Sequence, residues 1–119
     1  MKQSTIQIRV DLNDDKIPEH ICWQASDSHI QEEQKAKALC LAFWDGADQT
    51  ALRIDLWTND MRVDEMGDFY FQMMMGMADT LQRSTGQESL CADMKTFAKA
   101  FQQRFRNNLI TNDELSPNT

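Results

Sequence analysis

Asp60, Asp64 and Asp68 stand four residues apart, a spacing that stacks side chains on one face of a helix. Like charges so stacked repel mildly, and a divalent cation held among the carboxylates would offset that repulsion. The chemistry on offer is metal-assisted, and a small divalent-metal-dependent enzyme using these three aspartates is one reading of the chain. The plainer reading places Asp60, Asp64 and Glu65 at the start of a helix. There carboxylates accept from unpaired backbone N–H groups and meet the positive end of the dipole, each contributing about 0.3–1 kcal/mol. Arg62 and solvent then answer the remaining repulsion.

His20 and Cys22 are two apart on an extended run, so they point the same way, and Cys40 falls on a neighbouring strand. Three such ligands suit zinc. The chain has no CxxC or HxxxH pair, and His29 sits in a polar stretch, so reduced structural thiols are the default and no metal is expected. A nucleophile with its base and oxyanion donors is not visible either. Neither histidine belongs to a recognisable motif, and there is no GxSxG, no phosphate-cradling glycine loop and no dinucleotide fingerprint. The expectation is a protein that is not an enzyme and uses no cofactor.

The elements that would position these residues begin with strands. Thr5 to Leu12 alternates strictly, with Ile6, Ile8, Val10 and Leu12 on one face and Gln7, Arg9 and Asp11 on the other. Turn formers in NDDKIP end this strand, and Pro18 opens a second in which Ile21, Trp23 and Ala25 share a face. The polar stretch SDSHIQEEQK reads as a loop or a single helical turn. Two apolar runs flanking DGADQ predict a hairpin in which Phe43 faces Leu52, Leu41 faces Ile54 and Leu39 faces Leu56. A one-residue slip would set that aliphatic face against charges.

The same register puts Trp44, Ala42, Cys40 and Ala38 opposite Ala51, Arg53, Asp55 and Trp57 on the outer face. A solvated sheet face should be polar, yet this one carries two indoles around Arg53 and Asp55, the residue types that dominate protein interfaces. Trp44, Arg53, Asp55 and Trp57 are therefore the expected protein-binding residues. The face is covered by the chain's own loop around Ile30, by another copy of the chain, or by a different protein.

After Asp60 the period changes to 3.6. Val63, Met66, Tyr70, Met73, Met77 and Leu81 form the expected core stripe of one helix, which STG at Ser84 to Gly86 stops. Met75 falls off the stripe, and Gly76, costing about 1 kcal/mol against Ala in a helix, predicts a close approach by a neighbour. Leu90, Met94, Phe97, Phe101 and Phe105 give a second helix from near Gln87 that fades by Leu109. The fold class is thus α+β: a four-stranded antiparallel sheet followed by two helices packed on one face. A single domain covers 1–110, with a disordered tail over 111–119.

The composition is that of a globular protein, 41% hydrophobic and 26% charged. The net charge of −7 argues against a nucleic-acid partner and an acidic membrane surface, both of which need concentrated Lys and Arg. No apolar run is long enough for membrane insertion, the N-terminus lacks a signal-peptide core, and the odd, scattered cysteines fit a reducing cytoplasm. A cytoplasmic homo-oligomer or partner-bound protein is expected.

STIQIRVDLNDDKIPEHICWQA, LRIDLWTNDMRVDEM and MADTLQRSTGQ resemble the corresponding segments of the GldC-type gliding-motility proteins, small cytoplasmic proteins of gliding Bacteroidota. The resemblance spans residues 3 to 108, and LRIDLWTNDM followed by VDEM is its specific part. Arg62 stands where the family pattern has Pro, which alters the start of the following helix. The resemblance implies a role in gliding motility and, by extension, in the type IX secretion on which gliding depends; it brings no catalytic residues. The layout of strands followed by two helices is also similar to that of the SecB export chaperones.

Overall fold

The computed structural model describes residues 2–27 and 32–115. The elements, in chain order, are β1 (Ile6–Leu12), β2 (Pro18–Ala25), β3 (Gln34–Ala36), β4 (Ala38–Asp45), β5 (Thr50–Trp57), α1 (Val63–Thr85) and α2 (Glu88–Leu115). They fall into two compact units, Met1–Met61 and Arg62–Thr119. The fold is α+β with antiparallel strands, but the expected single four-stranded sheet is instead a three-stranded sheet ordered β1-β2-β3 and a two-stranded sheet of β4 and β5.

The division comes from one residue. The chain from Gln34 to Asp45 pairs first with β2, breaks at Lys37, and then pairs with β5. At the break the Lys37 carbonyl accepts from the Thr58 N–H at 2.8 Å. Only three residues, Gln-Lys-Ala, pair before the break, and they carry no apolar alternation; hydropathy could not reveal them. The β1–β2 turn is built on Asn13, whose side-chain oxygen accepts from the N–H groups of Asp15 (2.8 Å) and Ile17 (3.0 Å), with Lys16 held at φ 63°. Ile21 and Cys22, adjacent on the central strand β2 and so on opposite faces, are both buried.

In the second unit α1 and α2 form an antiparallel hairpin. Gly86, at φ 72°, caps α1 through its N–H to the Gln82 carbonyl, so the expected stop holds. The interior of this hairpin is a correction to the expected stripe. Val63, Tyr70 and Met77 are exposed, Met77 at 57%, whereas Gly67 and Ala78 are buried and face a helix whose buried residues are Cys91 and Ala98. Small residues let the helices approach closely, and larger side chains such as Phe105 fill the space beside them. A Cβ on Gly67 would strike the Phe105 ring, while nothing lies within 4 Å of one on Gly76. The close approach expected at Gly76 therefore belongs to Gly67. Lys95 of α2 bonds Asp79 of α1 at 2.6 Å across the hairpin, and α2 runs to Leu115, past the expected fade at Leu109. The end of the expected tail, residues 116–119, lies outside the described residues, as does Ile30, whose loop is one of the three expected covers of the outer face.

Candidate functional site: the outer face of the β4–β5 hairpin

The register of β4 on β5 is the one the alternation predicts. Phe43 pairs with Leu52, Leu41 with Ile54 and Leu39 with Leu56 on one face, and Trp44 with Ala51, Ala42 with Arg53, Cys40 with Asp55 and Ala38 with Trp57 on the other. The turn that fixes it spans residues 46–49. Asp45 accepts from the Ala47 N–H at 3.0 Å, and the left-handed residue is Gln49 at φ 53°, not the glycine. Trp44, Arg53, Asp55 and Trp57 therefore all stand on one face, as directly opposed residues in a pleated pair must.

Arg53 and Asp55, two apart on β5, are joined by a forked contact: Nη2 to Oδ1 at 2.9 Å and Nε to Oδ2 at 3.2 Å. Such bidentate geometry orients both groups. The Asp55 carboxyl is held below its ordinary range, first by the Arg53 guanidinium and then by the Cys40 thiol opposite it. The Cys40 thiol is pushed up, first by burial and then by its donation to Asp55. The two indoles frame this centre without touching each other. Trp44 is opposite Ala51 and Trp57 lies six residues further along β5, ~20 Å away at strand rise. Trp44 is 69% exposed and Trp57 57%. Beside Trp57 a groove of about 230 Å³ is lined by Ile17, Pro18, Asp55, Leu56 and Asn59. Sequence spacing gave no sign of it, because it forms where the β1–β2 turn meets the end of β5.

The other candidate constellations are arranged differently from expectation. Helix α1 begins at Val63 with Arg62 as its N-cap, so Asp60 precedes the helix and is not stacked with Asp64 and Asp68. Asp60 accepts instead from the buried Thr58 hydroxyl, whose donation holds the carboxyl below its ordinary range, ahead of smaller contributions that include Lys37 and His20. Asp64 is engaged by Arg62 at 2.9 Å, and its carboxyl is lowered by that contact. Glu65 accepts from the Arg62 N–H at 3.1 Å, the returning half of a capping box. Cys22 is buried and accepts from Arg9 Nη2 at 3.5 Å. His20 lines a separate cleft of about 330 Å³ with Glu19, Lys35, Lys37, Thr58 and Asp60. Among the described residues no three His, Cys, Asp or Glu side chains are placed to hold a metal ion, and no helix is long and apolar enough to cross a membrane.

Fold and face together describe a small α+β protein with two exposed indoles and a forked ion pair on one face of its β4–β5 hairpin. Residues 18–107 match the gliding motility-associated protein GldC-like family, and the chain belongs to that family. Searches of curated proteins and of solved structures returned no match.

Proposed function

We propose that this chain is a non-enzymatic binding protein of the cytoplasm, an adaptor or chaperone-like factor that supports gliding motility and the type IX secretion on which gliding depends. It captures protein, its own kind included, through the outer face of the β4–β5 hairpin. The observation that carries this reading is the exposure of Trp44 and Trp57 on either side of the forked Arg53–Asp55 pair. Burying one such indole against a partner removes 150–250 Å² of surface from water, worth a few kcal/mol by the usual area coefficient of about 25 cal/mol per Å². Leaving two of them open has no such return. The Ile17–Pro18–Leu56 groove beside Trp57 extends the apolar surface, and membership of a gliding-associated family supplies the process.

The test is suppression of aggregation of a thermally unfolding model protein, comparing the wild type with a Trp44→Ala, Trp57→Ala double variant. The reading expects suppression by the wild type that the variant loses while keeping its far-UV spectrum. Equal suppression by both would remove the outer face from the account.

A further inference from the structure

We propose that the apolar side of the α1–α2 hairpin is an interface with a second copy of this chain, the two hairpins meeting face to face about a twofold axis as four helices. The inference concerns the helical unit and stands apart from the outer face of the β4–β5 hairpin.

Each helix carries a second apolar stripe beside the one that closes the hairpin. On α1 it runs through Val63, Met66, Tyr70, Met73 and Met77, and on α2 through Leu90, Met94, Phe97 and Phe101. The steps alternate between three and four residues, which is the spacing of a seam that packs against other helices. Both stripes lie on one side of the hairpin. Met66 and Met77 stand one position before the buried Gly67 and Ala78, just as Leu90 and Phe97 stand one position before the buried Cys91 and Ala98. The same turn about each helix axis, taken from facing stripes on antiparallel helices, leads to the same side of the pair. The residues one position after the buried ones, Asp68, Asp79, Ala92 and Lys99, fall on the other side and are all exposed.

The amount and the kind of surface select the partner. Val63, Tyr70, Met77, Leu90 and Phe97 are exposed, Phe97 at 63%, while Met66, Met73, Met94 and Phe101 between them are half-buried. At about 150–250 Å² for a large side chain, five left roughly half open expose on the order of 500 Å². The half-buried four carry the face toward the ~800 Å² that a stable complex takes from each partner. Neither stripe holds a charged residue, so nothing on the face asks for an oppositely charged partner. A second copy meets the requirements together: two helices of the same lengths, the same seam spacing and an equal apolar area, matched by a twofold axis along the normal to the face. Asp68, Asp79 and Lys99 of both copies stay in water, so the contact desolvates none of them.

Solution mass by sedimentation, on the full chain, tests this with Phe97→Glu, Met77→Glu and, on the other side of the hairpin, Lys99→Glu. Phe97 and Met77 are open in a single copy, so a glutamate there leaves the hairpin folded but brings a charge into the interface. The expected result is a wild type of even copy number, Phe97→Glu and Met77→Glu each at half the wild-type mass with an unchanged helical far-UV spectrum, and Lys99→Glu at the full mass. The Trp44→Ala, Trp57→Ala variant should retain at least two copies, and the wild-type thermal midpoint should rise with protein concentration. Should the glutamate variants fail to fold, Phe97→Ala decides: it trims the face without adding a charge and should weaken association at least tenfold. A wild-type monomer, folded glutamate variants at the wild-type mass, an equal loss of mass in Lys99→Glu, or unchanged association of Phe97→Ala would overturn the interface. None of these outcomes touches client holding by the outer face, which the aggregation assay on Trp44→Ala, Trp57→Ala reads separately.

Discussion

The Asp55 carboxylate stands between two groups that both lower its pKa, the Arg53 guanidinium on its own strand and the Cys40 thiol on the strand opposite. Both donate to it, and the thiol in turn resists ionising because burial and Asp55 disfavour the thiolate. Replacing Asp55 with Asn removes the second of these causes. Alkylation of Cys40 at pH 8, followed by mass spectrometry, should quicken several-fold, at about tenfold per pKa unit recovered. Cys22 and Cys91, both buried, should react slowly in either protein and serve as the reference. An unchanged Cys40 rate would mean that Asp55 does not control the thiol.

The helix hairpin predicts opposite signs for two glycines. Gly67→Ala puts a methyl into the Phe105 ring, and overpacking of this kind costs about 1–3 kcal/mol, less the propensity gain of about 1 kcal/mol that alanine brings to a helix. Gly76→Ala meets open space and should keep the whole of that gain. Thermal unfolding should therefore show a lowered midpoint for the first variant and a raised one for the second.

Thr58 sets a pH dependence through Asp60. The folded carboxyl lies below its ordinary value, with the Thr58 hydroxyl as the leading cause, so the unfolded chain binds a proton more readily. The stabilisation is complete above the usual Asp value of about 3.9 and is lost as pH falls through the folded value. Thr58→Val keeps the backbone bond to Lys37 and loses the hydroxyl. Its denaturant midpoint should lie below the wild type's at pH 7, and the gap should narrow below about pH 4. A gap that stayed constant with pH would point to packing in place of the hydrogen bond.

Asn13 closes the β1–β2 turn by accepting from two backbone N–H groups. Asn13→Ala abandons both, and at about 0.5–1.5 kcal/mol for each hydrogen bond the loss should be one to three kcal/mol in equilibrium urea unfolding. Asn13→Asp, which still accepts both, should lose far less.

The site was more legible in the sequence than the core was. Strict alternation on both sides of DGADQ leaves one register that keeps Leu39, Leu41, Phe43, Leu52, Ile54 and Leu56 on one face, so the placement of Trp44, Arg53, Asp55 and Trp57 followed from the pattern alone. In α1 the apolar stripe marks only part of the interior. Of the expected stripe Val63, Tyr70 and Met77 are exposed while Met66, Met73 and Leu81 are half-buried, and the helices meet on Gly67 and Ala78, residues too small to weigh in a periodicity. The break at Lys37 was hidden for a related reason, since β3 is held by backbone pairing and the Thr58 N–H, neither of which leaves an apolar signature. Asp60 looked like a member of the helix because the spacing of aspartates continues past the point where the helix itself begins.

The central claim is that the outer face of the β4–β5 hairpin is where this GldC-like protein does its work in gliding. Its most direct test is colony spreading in a gliding bacterium whose own copy is replaced by the Trp44→Ala, Trp57→Ala variant or by Arg53→Glu, with protein levels followed by immunoblot. The account predicts that spreading is lost while both variants accumulate to wild-type levels. Full spreading by both, at normal levels, would contradict it.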